Sequence, residues 1–167
     1  MRRLILLRHA EAERLSPGGD RERPLTASGL RDAVAAARLI AELDLSPDAI
    51  VSSDARRAQQ TAEIVAGVLG WSAPIAIEPA LYGADVPQLL AAIRRLPDSA
   101  ASALLIGHNP GFEDLAAALA ANDEYVRLHT ASFANLLLPV ERWHDIKLGI
   151  AQLIGTETGR ASEAAEA

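Results

Sequence analysis

The chain has 167 residues, of which half are apolar and 23% are charged, so it suits one folded domain with a sizeable core. Its net charge of −6 disfavours nucleic-acid binding, because phosphate backbones require basic surfaces. Cysteine is absent, which excludes disulfides, thiolate nucleophiles and cysteine-ligated metals. The sequence contains neither a membrane-spanning apolar stretch nor a recognisable signal peptide, so we expect a cytoplasmic protein with no membrane partner.

Apolar periodicity predicts strands that alternate with helices along most of the chain. The predicted elements are, in chain order, a strand over 4–7, a helix over 26–43, a strand over 49–51, a helix over 55–69, a short strand over 75–77, a helix over 86–96, a strand over 103–106, a helix over 111–121 and late strands over 133–138 and 145–154. We expect the two late strands to pair at an edge of the sheet.

This alternation favours an α/β fold, a three-layer sandwich whose central sheet is mainly parallel and carries helices on both faces. We assign residues 1–155 to a single domain. Residues 156–167 lack large apolar side chains, so we expect them to form a flexible C-terminal tail.

Two of the predicted strands end in a histidine. Arg8 and His9 follow the first strand, and His108 and Asn109 follow the strand over 103–106. Because ligands of open α/β sheets bind outside the carboxyl ends of the strands, these residues predict one cleft that contains two imidazoles.

Arginines accompany these histidines at positions typical of anion recognition. Arg23 precedes the first helix, and Arg57 lies in the first turn of the helix that follows Ser53. Guanidinium groups fit phosphate oxygens in a bidentate manner, and helix N-termini attract anions. Mutual repulsion among these cations should lower the histidine pKa values and leave a neutral imidazole able to attack phosphorus. Such chemistry requires no metal and no cofactor, so we expect neither.

Four sequence blocks, in this order, resemble those of the histidine phosphatase superfamily, whose members have the phosphoglycerate-mutase-like fold. The blocks are Leu7-Arg8-His9-Ala10-Glu11-Ala12, Arg23-Pro24-Leu25-Thr26 with Gly29, Ser53 to Thr61, and Gly107-His108-Asn109-Pro110. Asp54 stands where the family's third block has a proline. The blocks together span residues 4 to about 120 of the chain.

The resemblance implies a phosphatase in which His9 becomes phosphorylated. By the same resemblance Arg8, Arg57 and His108 bind the phosphoryl group, and Arg23, Ser53 and Asn109 contribute to substrate binding. Its alignment selects Arg57 rather than Arg56, which we expect to face solvent. The general acid of larger members falls in the region 78–85, where Glu78 and Asp85 are the candidates.

The short chain most resembles the SixA-type phosphohistidine phosphatases, which remove phosphate from a histidine of a phosphotransfer protein. This resemblance implies a phosphorylated protein as the partner. Two alternatives remain open from the sequence. One is a phosphomonoesterase that acts on a sugar phosphate or another small phosphorylated metabolite. The other is a non-catalytic phosphate-binding or adaptor protein.

Overall fold

The computed structural model describes residues 1–161 of the chain. Its strands and helices are, in chain order, β1 (Arg2–Arg8), α1 (Ala27–Glu42), β2 (Ala49–Ser52), α2 (Arg56–Leu69), β3 (Ala76–Ile77), α3 (Val86–Arg94), β4 (Ser102–Gly107), α4 (Gly111–Leu119), β5 (Ser132–Leu138) and β6 (Gln152–Thr158). Within these residues, no helix combines the length and apolar character that crossing a membrane would require.

The six strands form one sheet with the order β3-β2-β4-β1-β5-β6. The pairs β1 with β4, β4 with β2 and β2 with β3 are parallel, whereas β5 pairs antiparallel with both β1 and β6. The predicted α/β fold with a mainly parallel sheet is confirmed.

A core fills each face of the sheet, because alternate residues of a strand point to opposite sides. Leu4 and Leu6 pack into the core beneath α3 and α4, and Ile5 and Leu7 pack into the core beneath α1 and α2. All four of these β1 side chains are fully buried. The uninterrupted apolar run of β1 therefore reflects a central strand covered on both faces.

The last strand differs from its prediction over residues 145–154. Trp143 begins a 3₁₀ turn that ends at Asp145, and its buried indole Nε1 donates to the carbonyl of Ala100 at 2.8 Å. The chain then crosses the end of α4, where Gly149 donates its N–H to Ala118. As a result, β6 begins only at Gln152.

The predicted tail boundary is therefore wrong for residues 156–158, which belong to β6 and pair with β5. Gly159 also donates its N–H to the carbonyl of Ala131 at 2.8 Å. The sequence hid this strand because it is a mostly exposed edge strand with few apolar side chains. The remainder of the predicted tail, residues 162–167, lies outside the described residues.

Thr26 caps α1 as predicted, since its side chain accepts the N–H of Gly29 at 2.9 Å. The loop after β1 lies against this first helical turn. A Cβ added at Gly29 would lie 2.1 Å from the carbonyl oxygen of Glu11, which also accepts the N–H of Thr26 at 3.0 Å. Position 29 therefore requires glycine for this close backbone approach.

We expect Gly29→Ala to lower the free energy of unfolding by roughly 2 kcal/mol, because the added methyl group would push the loop away from α1. Gly67 in α2 is a matched control, since a Cβ there would meet nothing within 4 Å. Gly67→Ala should raise the free energy of unfolding by about 0.5–1 kcal/mol, because alanine restricts the unfolded chain. Urea denaturation measures both changes, and equal effects would contradict this account of Gly29.

Candidate active site

A cavity of about 480 Å³ opens at the carboxyl ends of β1 and β4. Its walls consist of the residues that follow these two strands, the loop before α1, the start of α2 and the turn before α3. The lining residues are Arg8, His9, Glu11, Ala12, Asp20, Arg23, Arg57, Tyr82, Gly83, His108, Asn109 and Thr130.

The two histidines lie side by side because of the strand register. Arg8 pairs with Gly107 across the parallel β1–β4 ladder, and the N–H of His9 donates to the Gly107 carbonyl at 3.0 Å. His108 therefore leaves its strand beside His9. Their ring centroids are 5.1 Å apart with the planes tilted by 55°. The predicted meeting of two imidazoles in one cleft is observed.

The tautomer of His9 follows from its backbone contact. Its Nδ1 lies 2.7 Å from the carbonyl oxygen of Ala10, which can only accept a hydrogen bond. Nδ1 therefore carries the proton in the neutral ring, and the lone pair resides on Nε2. Arg57 Nε donates towards that Nε2 at 3.3 Å.

Both histidines are held neutral mainly by burial. Burial lowers the pKa of His9 to about 3, and the neighbouring His108, Arg57 and Arg8 lower it further, against the hydrogen bond to Ala10. Burial likewise lowers the pKa of His108 to about 4, with Arg57 the next contribution. The sequence predicted the direction of these pKa shifts from charge repulsion, but desolvation is the larger cause.

Arg57 is the buried arginine of the cavity, as the alignment implied, whereas Arg56 faces solvent. Asp20 holds its guanidinium in place. Arg57 Nη1 donates to the Asp20 backbone carbonyl at 2.8 Å, and Nη2 donates to the Asp20 carboxylate at 3.1 Å. Arg23 Nε donates to the other carboxylate oxygen of Asp20 at 2.9 Å.

Tyr82 closes one wall of the cavity. Its hydroxyl donates to the Asp20 carboxylate, and its ring meets the ring of His108 edge-on at a centroid distance of 5.5 Å. Arg21 lies over the Tyr82 ring, with its guanidinium carbon 4.1 Å from the ring centroid. The Tyr82 hydrogen bond, followed by the contact with Arg57, lowers the pKa of Asp20 to about 2.

Ser53 and Asn109 lie at the site in supporting positions. Ser53 is fully buried, and its hydroxyl lies 2.8 Å from Nε2 of His108. The Asn109 amide nitrogen donates to the Glu113 carboxylate at 2.6 Å and to the Leu128 carbonyl at 2.8 Å. Ser53 does not line the cavity, so its contact with a substrate would run through His108.

The structure places the two predicted acid candidates outside the cavity lining. Asp85 is the N-cap of α3, where it forms a capping box with Gln88. Glu78 caps the 3₁₀ turn before Tyr82 and contacts Arg95 at 3.4 Å. Each carboxylate accepts one backbone N–H, and neither residue lines the cavity, which corrects the expectation that either one faces the reacting group.

Sequence reasoning missed Asp20 and Tyr82 as cavity residues. A usable signal was present for Asp20, since it precedes Arg23 by three residues within a loop that turns back at Pro17-Gly18-Gly19. Tyr82 lies within the region 78–85, but a prediction of carboxylate acids does not select a tyrosine. Both residues approach the histidines only through tertiary folding.

A family model described as the histidine phosphatase superfamily (branch 1) matches residues 4–89 of the chain. This match covers more than half of the chain and includes both Arg8–His9 and Arg57. The chain belongs to the histidine phosphatase superfamily.

Similar proteins span nearly the whole chain. The uncharacterised protein Rv1276c of Mycobacterium tuberculosis is 32% identical over 164 residues, which cover 92% of this chain and 100% of that protein. A structure assigned as the phosphohistidine phosphatase SixA of Nakamurella multipartitia is 28% identical, covers 93% of this chain and 95% of its own, and has a TM-score of 0.79. The protein histidine phosphatase SixA complexed with tungstate shares the fold, with a TM-score of 0.82, 23% identity and coverage of 94% and 97%.

The neutral histidines of this superfamily member, of which His9 is buried and His108 partly buried, predict a pH-dependent stability. Between pH 6.5 and about 4 the unfolded chain gains protons on both imidazoles while the folded chain keeps them neutral. The free energy of unfolding should therefore fall as the pH falls through this window, by roughly 1 kcal/mol per pH unit for each histidine.

Urea denaturation at several pH values across this window measures the slope. The double variant His9→Gln with His108→Gln should show a shallower slope than the wild type, because it lacks both titrating groups. Identical slopes in the two proteins would show that the imidazoles are not the source of the pH dependence.

Proposed function

We propose that this protein is a protein phosphohistidine phosphatase that works through a covalent phosphohistidine on His9. The observation that carries the proposal is the pair of neutral imidazoles, one with its lone pair on Nε2, facing a cluster of arginines in one cavity. Family membership and the likeness to SixA structures support the same chemistry.

In the first step, the His9 Nε2 lone pair forms a bond to phosphorus as the bond from phosphorus to the leaving nitrogen breaks. The hydrogen bond from Nδ1 to Ala10 keeps the ring oriented and stabilises the positive charge that develops on it. The leaving imidazole takes the bonding electron pair and is protonated from solvent. Water then attacks the phosphorus, the bond to Nε2 breaks, and inorganic phosphate leaves.

Arg8, Arg57 and His108 are proposed to hold the phosphoryl oxygens while charge builds up on them. Their supports are already in place: Arg57 is nearly fully buried beside Nε2 of His9, and Ser53 holds His108. Preorganised hydrogen-bond donors of this kind, two of them cationic arginines, stabilise a transferring phosphoryl group without reorganising during the reaction. Arg23, which also lines the cavity, is proposed as a further ligand of the phosphoryl oxygens.

The ionised Asp20 of the cavity favours a phosphoramidate over an alkyl phosphate as the substrate. Loss of an alkoxide requires a proton from a placed acid, an effect of about 10²–10⁴-fold. Asp20 lines the cavity, but its pKa of about 2 keeps it ionised near neutral pH. A phosphohistidine nitrogen accepts a proton more readily, so its departure depends less on such an acid.

Rapid quenching with a labelled phospho-substrate tests the covalent step. The wild type should carry label that is lost in acid and retained in base, as a phosphohistidine would. His9→Ala should abolish both the label and turnover, because no lone pair then faces the phosphorus, while circular dichroism shows a folded protein. His144→Ala, which changes an exposed histidine, is the matched control and should retain both. Undiminished turnover in His9→Ala would refute the mechanism.

Steady-state rates on three substrate classes test the leaving-group argument. We expect turnover of a phosphohistidine-bearing protein domain and of 4-nitrophenyl phosphate to exceed turnover of a sugar phosphate by about 10²-fold or more, since only the last requires a placed general acid. Asp85→Asn should preserve this order, because asparagine caps a helix as well as aspartate does.

Faster turnover of the sugar phosphate would favour the small-molecule phosphomonoesterase instead. A selective loss of sugar phosphate turnover in Asp85→Asn would restore that carboxylate as an acid. A protein that binds phosphate but turns over none of the three substrates would be the non-catalytic adaptor.

A further inference from the structure

The orientation of Arg8 depends on a segment that has no helix or strand of its own. Residues 121–131 connect α4 to the turn before β5, and Thr130 of this segment lines the cavity. Arg8 Nη1 donates to the backbone carbonyl of Leu128 at 3.1 Å. Its guanidinium is therefore directed by one peptide group of an irregular segment, which needs an anchor of its own.

Glu113, in the first turn of α4, supplies that anchor. One of its carboxylate oxygens accepts the Leu128 N–H at 3.0 Å, and the other accepts the Asn109 amide at 2.6 Å. The same Asn109 amide nitrogen donates to the Leu128 carbonyl at 2.8 Å. The Leu128 N–H and carbonyl are thus held by Glu113 and Asn109, which lie in the first turn of α4 and just before it.

The Leu128 side chain is buried in the core beneath α3 and α4, which fixes this segment from the other side. Glu113 also provides negative charge next to a cationic group. Burial lowers the pKa of Arg8 and Arg160 lowers it further, whereas Glu113 opposes both effects. The Glu113 carboxylate therefore holds the Leu128 peptide that directs Arg8, and it also balances part of the positive charge of Arg8.

We propose that Glu113 is a positioning residue for phosphoryl binding, which it supports by holding the Leu128 peptide that orients Arg8. This inference rests on the proposed function, in which Arg8 is a phosphoryl ligand. Asn109, which also lines the cavity, contributes to the same arrangement by holding the backbone carbonyl of Leu128.

Tungstate provides a probe that requires no turnover, because it resembles the phosphoryl group in charge and shape. Glu113→Gln should weaken tungstate binding, measured by calorimetry, by about tenfold, since a charged hydrogen-bond partner of the Leu128 peptide is lost. KM for 4-nitrophenyl phosphate should rise more than kcat falls. Asp114→Asn removes the same charge from the neighbouring, exposed position and should change each value by less than about twofold.

A double-mutant cycle with Arg8→Ala distinguishes positioning from a general loss of structure. If Glu113 acts through Arg8, Glu113→Gln should have little further effect on tungstate binding in the Arg8→Ala background. An equal loss in both backgrounds, or no loss in the wild-type background, would overturn the inference. If Arg8→Ala alone binds tungstate and turns over substrate normally, the proposed role of Arg8 fails and the inference fails with it. Impaired binding in Arg8→Ala beside normal binding in Glu113→Gln would overturn the inference about Glu113 alone.

Discussion

The parallel pairing of β1 with β4 is the constraint on which the site depends. Arg8 lies opposite Gly107, and each of these residues is followed by a histidine. The pairing therefore brings the two histidine rings into the same cavity. Gly107 has no room for a side chain, since a Cβ there would lie 2.5 Å from the Phe112 ring. Gly107 therefore contributes both to the packing of α4 onto the sheet and to the approach of the two imidazoles.

Burial then determines the chemical state of these imidazoles. A solvent-exposed histidine pair would carry substantial charge near pH 6, whereas desolvation holds both rings neutral well below that pH. The arginines around them would be costly to collect without negative charge nearby. Asp20 balances Arg57 and Arg23, and Glu113 lies close to Arg8. These two carboxylates reduce the repulsion among the arginines of the cavity.

The sequence predicted the parts of this arrangement that are encoded locally. The apolar run of β1, the Thr26 cap and the histidines at two strand ends all followed from short patterns, and the structure agrees with them. Asp20 and Tyr82 could not be found in this way, because they meet only when two loops fold over the same strand ends. The β6 strand was misplaced for a related reason, since an exposed edge strand lacks the apolar alternation on which such predictions depend.

The acid candidates illustrate a different kind of error. Asp85 stands three residues before Gln88, which is the spacing of a capping box, so local helix chemistry already accounted for its carboxylate. The family resemblance, by contrast, places the general acid of larger members in this region. In physical terms, the N–H of Gln88 holds the Asp85 carboxylate at the start of its own helix, outside the cavity lining.

The contact between Asp20 and Arg57 has a consequence for which anions the cavity admits. An entering anion must displace, or share the guanidinium with, a carboxylate that is already bound there. Chloride or acetate, with a single negative charge, offers Arg57 no more than the internal carboxylate does. A doubly charged phosphoryl group would offer more, so the Asp20 carboxylate would favour divalent anions over monovalent ones in any anion binding at Arg57.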